Sequence, residues 1–242
     1  MPVMGASCSP SLRRATDSIK RKLFQLLAAD AHLSSQLSLI AGVDAIKSGV
    51  MNQLPLLSRG EIERLLSQQT ISERHPRVSN DERLIEGHLK GACAAITRAT
   101  RSESRVEWGH YGSGYASFVD AWLYKKTPDF DVKQPIRNVE GHIGLVVLLS
   151  RLSPYFVFMQ GEKRWHASGG SSYLPEFGML DKLEAESVSL LARQVQPVLE
   201  SHGLVRAVRE QLTEPLPAGL RVPTILSDRG FTQFDALFYW ED

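Results

Sequence analysis

The chain has 242 residues, 43% of them apolar and 23% charged, with a formal net charge of +1. These are ordinary globular values, and the length suffices for one large domain or two small ones around a real core. A charge this close to neutral argues against a dedicated nucleic-acid binder, although residues 1–110 hold 15 Lys/Arg against 11 Asp/Glu while residues from 171 onward hold 6 against 11.

In chain order, Leu12, Ile19, Leu23, Leu26 and Leu27 fall near helical spacing, with Arg13, Arg14, Lys20, Arg21 and Lys22 alongside, and Leu33 to Val50 continues helix-compatible. Ser58 followed three residues later by Glu61 is a capping-box pattern that opens a helix with Ile62, Leu65 and Leu66. The polar stretch 70–80 is a candidate hinge. A further helix is expected over Asp81 to about Thr100, with Leu84, His88, Leu89, Ala92 and Ile96 on one face.

From Arg105 the period changes. Val106, Trp108 and His110 alternate, and Tyr115 to Tyr124 has the aromatic and β-branched content of a strand, with Gly112 to Gly114 as the turn of a hairpin. Ile143 to Leu149 and Tyr155 to Gln160 read as short strands. The second is expected to turn at Gly161-Glu162 and return through Lys163 to His166, with Gly169 to Ser172 a flexible loop. Leu180 to about Glu200 suits a long helix, with Pro197 near its end. Arg206 to Gln211 suits another turn or two. After Pro215, Pro217 and Gly219, the aromatic segment Phe231 to Trp240 reads as a closing strand buried on at least one face, with Glu241 and Asp242 at the rim. Strands grouped together, with helices before and between them, predict an α+β fold. A helical N-terminal region (1–104) packs on a mostly antiparallel sheet region (105–242), with one long helix inserted before the last strands. The two regions form either separate units or one continuous domain.

Chemistry-bearing motifs are sparse. Gly112-Ser-Gly114 opens like a dinucleotide loop, but Ser117 stands where a third glycine belongs and a strand follows, so a turn is the better reading. Asp129, Asp131 and Lys133 carry the acid-plus-lysine kit of some nucleases, yet all lie in one Pro-bounded loop rather than on converging strands. Histidines at 32, 75, 88, 110, 142, 166 and 202 show no metal-ligand spacing, and no serine sits in a Gly-x-Ser-x-Gly elbow. His142 and His166 are candidate acid–base groups without a nucleophile beside them. Cys8 and Cys93 are too far apart in sequence to suggest a disulfide framework, which fits a reducing cytosol. No signal-peptide pattern is present, and Ile143 to Leu149 is far below the ~20 residues of a membrane span, so a cytoplasmic location is expected. No catalytic residue, cofactor or metal is expected.

Three segments carry a resemblance: the acid-tipped aromatic stretch Phe234-Asp-Ala-Leu-Phe-Tyr-Trp-Glu-Asp242, the strand Tyr115 to Tyr124, and Tyr155-Phe-Val-Phe-Met-Gln160 through Trp165. Together they resemble immunity proteins of bacterial type VI secretion and polymorphic-toxin systems, and are similar to those paired with restriction-endonuclease-like DNase effectors. The resemblance covers about residues 80–242 and is one of architecture. It implies a non-enzymatic protein that neutralises one cognate toxin by occluding its active site or blocking its assembly, with no catalytic residues to carry over. The partner implied is a protein toxin, with no direct contact to nucleic acid or membrane; the oligomeric state, homo-oligomer included, stays open. DNA-cleaving toxins need basic surfaces, so the acidic residues of the last third are the candidate partner-binding groups: Glu176, Asp181, Asp228, Asp235, Glu241 and Asp242. A small enzyme or ligand-binding domain using Gly169 to Ser172 with His142 or His166 is the alternative reading, and a secretion chaperone or adaptor a third.

Overall fold

The computed structural model describes residues 55–112, 114–133, 138–166, 169–224 and 230–241. The helices expected before residue 55, and the candidate residues Asp228 and Asp242, lie outside the described residues. Residues 53–242 form one compact unit.

Helix α1 (Arg59–Leu66) begins as its sequence requires: Ser58 Oγ accepts from the Glu61 amide while Glu61 returns a carboxylate oxygen to the Ser58 amide at 2.8 Å. Helix α2 (Glu82–Thr100) is capped by Asp81, whose Oδ1 accepts from the amides of Arg83 and Leu84. Its buried face runs through Ile85, Leu89, Ala92, Cys93 and Ile96, whereas Leu84, expected inside, is exposed. The polar stretch between the two helices is tied down. The Thr70 amide donates to Asn80 Oδ1, the Ile71 amide donates to the Leu152 carbonyl, and Arg77 reaches the Ser150 carbonyl.

The sheet has six strands: β1 (Glu103–Glu107), β3 (Phe118–Tyr124), β4 (Glu140–Ser150), β5 (Tyr155–His166) and β6 (Gly169–Ser172) in that order, all antiparallel, with β7 (Val205–Arg206) parallel to the start of β5. Strand alternation and the register Asp120↔Leu148↔Val157 divide it into two faces. One carries Phe118, Asp120, Trp122 and Tyr124 with Val146, Met159, Gly161 and Lys163. The other carries Val119, Ala121 and Leu123 with Val147, Phe158 and Gln160. All seven residues of β3 are buried, so both faces are covered.

The long helix α3 (Glu186–Ser201) covers the second face. Gln160 Oε1 accepts from the Ala185 amide just before the helix starts, and Arg206 stacks on Phe158 while donating to Gln196. Helix α2 packs beside α3. A short helix α4 (Arg209–Leu212) follows.

Two expectations for β5 and β6 are corrected. Gly161-Glu162 is no turn; β5 runs straight through it, paired with Gly144 and Ile143 of β4, and glycine at 161 instead makes room for the Tyr173 ring, which a side chain there would overlap. Gly169 to Ser172 is strand β6, paired with residues 163–166 of β5.

The closing segment is also corrected. Residues 233–237 form helix α5 (Gln233–Leu237), and only Trp240–Glu241 is strand (β8), paired with β2 (Tyr115–Ala116) in a separate ribbon. Phe234, Leu237 and Phe238 stand at i, i+3 and i+4, a helical spacing that puts all three into the core. Phe238 meets Phe118 edge-on at 6.2 Å, and Phe177 meets Phe234 at 5.7 Å, so this segment covers the first sheet face. Truncating such an aromatic to alanine costs about 3–5 kcal/mol in a core. The expectation of burial holds; that of an extended backbone does not.

Candidate functional site

The six candidate acids divide by what their carboxylates do. Asp235 is buried and accepts from both the amide and the hydroxyl of Thr232, closing the first turn of α5. Asp181 is half-buried; it pairs with Arg206 at 2.7 Å and accepts the Arg209 amide at 2.7 Å, which fixes the start of α4. Both hold the fold together. Glu241 is half-buried in β8 and accepts from Gln68. Glu176 is exposed. Its carboxylate has no hydrogen-bonding or ionic partner among the described residues and lines a shallow cleft of about 270 Å³ with Gln160, Lys182 and Glu184. Glu184 is likewise exposed and unpartnered. Leu174, 54% exposed, precedes Glu176 by two residues.

What holds this segment in place is a side chain that sequence reasoning passed over. Asp120, 1% exposed, sits in mid-β3 and accepts from the Tyr173 hydroxyl at 2.7 Å and from the Tyr111 hydroxyl at 2.8 Å. Gly161 leaves room for the Tyr173 ring to cross the sheet, and the Tyr173 amide donates to the Glu162 carbonyl. Lys163 lies over the same ring at 4.7 Å and over Trp122 at 5.8 Å. Residues 174–176 therefore leave a fixed point on the sheet. Tyr111 reaches Asp120 from a connection in which His110 and Tyr111 both adopt left-handed backbone (φ 55° and 57°), an arrangement costly for side-chain-bearing residues and sustained here by the hydroxyl contact.

Burial pushes the Asp120 carboxyl above the usual carboxylate range, against the opposing pull of Tyr173, Lys163 and Tyr111. Burial in turn lowers Lys163, which Asp120 partly offsets, and raises Tyr173 well above the ordinary phenol. Such a network rigidifies a site by leaving no member unsatisfied. The signal was present: a lone aspartate inside the otherwise apolar run Phe118 to Tyr124 is anomalous for a strand covered on both faces.

The groups of the alternative reading are dispersed. His142 is buried in a stack against Tyr124 at 4.7 Å, with Asp131 at 3.1 Å and Glu140 at 3.4 Å. Trp165 donates to Glu140 and carries Arg105 on its ring at 4.0 Å. His166 is exposed at the far end of β5, and Gly169 to Ser172 is occupied in strand pairing. Asp129 and Lys133 line an open cleft of about 720 Å³ against the first turns of α3, where Ser187 donates to the Asp129 carbonyl. Among the described residues no group of three or more His, Cys, Asp or Glu is placed to hold a metal ion, and no helix is long and apolar enough to cross a membrane. The Cys93 thiol is buried and free, its pKa pushed up to about 12 by that burial, which keeps it in the unreactive form.

No protein-family model matches the chain, and no curated protein or solved structure matches it.

Proposed function

We propose that this chain is an immunity protein. It acts in the cytoplasm, binds a cognate secreted toxin and neutralises it without chemistry of its own, by covering the toxin's active site or blocking its assembly. The resemblance noted above makes a DNase effector the partner of choice. The observation that carries the reading is the pairing of Glu176 and Glu184, both exposed and unpartnered, around one shallow cleft. Leu174 stands beside them on backbone that Tyr173 and Asp120 hold in place. An interface needs that combination: carboxylates to steer a basic partner, an apolar anchor to be desolvated, and a segment already ordered before binding.

The test is co-expression with DNase-type toxins encoded beside this chain, followed by association kinetics on the complex. Wild type should restore growth and form a stable complex. Its association should slow with salt and slow about tenfold or more in the double reversal Glu176→Lys/Glu184→Lys, while stability stays within ~0.5 kcal/mol of wild type. Failure of wild type to restore growth against every such toxin would overturn the immunity reading. A toxin bound at a rate indifferent to salt and to both reversals would remove the acidic cleft from the interface.

A further inference from the structure

On the side of the molecule where the loop after α1 meets the end of α3, a cleft of about 440 Å³ is lined by Arg74, Arg77, His88 and His202 together with Glu61 and Glu73. Arg77 is 3% exposed. Among the described residues its guanidinium makes one hydrogen bond, from Nη2 to the Ser150 carbonyl at 2.8 Å, and its Nε is buried without a partner. No carboxylate lies within ion-pairing distance of it among the described residues. The other deeply buried guanidinium, Arg151, has Glu86 at 3.9 Å and donates to the carbonyls of Trp108 and Phe118. His88 lies in the same cleft, its ring 6.3 Å from that of His202, and its Nε2 is also buried and unpartnered. Arg77, a cation with a single carbonyl to receive its protons, and His88, with the His202 backbone beside it, thus line one cavity.

The nearby acids do not fill that role. Both Ser58 contacts, from its amide at 2.8 Å and its hydroxyl at 2.7 Å, go to Glu61 Oε2, and Glu73 is exposed at the rim. A buried charge without a counter-charge is costly, and a guanidinium presents donors in a fork that matches the oxygens of a carboxylate or a phosphate.

We infer that this cleft is a binding site for a small oxyanion, a carboxylate or phosphate group that accepts from Arg77 and His88 and supplies the counter-charge Arg77 lacks. The inference is independent of the toxin reading. With Arg74 and Arg77 beside Glu61 and Glu73, the cleft is near neutral while His88 is uncharged, and it becomes an anion trap when His88 takes up a proton. Burial lowers His88 most, the neighbouring charges of Arg77 and His202 add to that, and a hydrogen bond to the His202 backbone opposes it. An anion between them reverses the effect of those charges and lifts His88 back, so binding draws in a proton and tightens as pH falls. For one linked proton the gain is at most about tenfold per pH unit.

Inorganic phosphate and, separately, acetate are titrated into the full chain at about pH 6 and about pH 7.5, the range over which histidine changes charge. Proton NMR follows the histidine C2 signals, with His88 assigned through His88→Gln, and calorimetry gives the affinities. A saturable shift at His88, tighter at the lower pH, is expected. It should weaken at least tenfold in Arg77→Met and severalfold in Arg74→Ala, whose exposed side chain can be lost without disturbing the fold. Tighter phosphate binding assigns a tetrahedral oxyanion as the ligand class, and tighter acetate binding assigns a carboxylate. No saturable shift with either anion overturns the site. So does an affinity unchanged in Arg74→Ala and His88→Gln, the two variants that decide the matter if Arg77→Met fails to fold.

Discussion

Asp120 and Arg77 are buried to nearly the same depth, 1% and 3% exposed, and the fold surrounds them in opposite ways. Asp120 meets two phenol hydroxyls, with Lys163 lying across one of the rings. Arg77 meets one backbone carbonyl and the wall of a cavity. The first is a closed network, in which removing any member strands the others. The second is open, with its counter-charge left for something outside the chain. Burial alone therefore does not tell a structural charge from a binding one; the number of partners does.

The contrast predicts unequal costs. Asp120→Ala leaves the Tyr173 and Tyr111 hydroxyls without their shared acceptor and Lys163 without the charge that opposes it, and should cost about 3 kcal/mol in chemical unfolding. Arg77→Met removes a charge the fold never compensated and should stay within about 1 kcal/mol of wild type. Equal losses in the two variants would end the distinction.

Gly161→Ala comes next. Its methyl group must displace the Tyr173 ring, so about 2 kcal/mol should be lost, with the Asp120 hydrogen bond weakened in the same variant. A neutral Gly161→Ala would mean that Tyr173 does not lie across β5.

The two phenols should then separate. Tyr173→Phe is expected to cost about 1.5 kcal/mol and Tyr111→Phe about 0.5 kcal/mol, since the Tyr111 ring is 37% exposed and water can stand in for its hydroxyl. The subtlest difference is in pH. Because burial raises the Asp120 carboxyl, its contribution to stability is fully present below its unfolded-state value and is lost as pH rises through the folded one. The unfolding free energy of wild type relative to Asp120→Asn should therefore improve toward acid. A gap that widened toward alkaline pH would show the two phenols and Lys163 outweighing desolvation.

Much of this was legible in the residues. The Ser58–Glu61 box, the helix over residues 82–100, the apolar runs of β4 and β5, and the long helix before the last strands all follow from spacing and capping chemistry. The misreadings share one cause. Gly161 and the run Gly169 to Ser172 carry turn residues, but β4 and the Tyr173 ring impose an extended backbone on the first, and the end of β5 imposes it on the second. At 231–240 the aromatic content suggested a strand while the i, i+3, i+4 spacing and Thr232 with Asp235 already described a capped helix turn. Of the candidate acids, the Thr232 spacing marked Asp235 as a cap, but no sequence pattern separated Asp181, whose oxygens serve the fold, from Glu176, whose carboxylate does not, because the partners of Asp181 lie 25 and 28 residues away.

The last helix and strand also bear on how the molecule comes into being. Gln233 Oε1 accepts the Leu57 amide across 176 positions, the Tyr239 hydroxyl donates to the Leu65 carbonyl across 174, and Ser117 is laced to Tyr239 across 122. Contacts this distant in sequence form only after large loops have closed, which slows folding. On the ribosome, α1 and the first sheet face wait uncovered until residues 233–240 have emerged, so β3 and β5 remain sticky while the chain between them and that segment is made. Residues 233–240 are the latch of the structure, and a nascent chain is at greatest risk of aggregation just before they arrive.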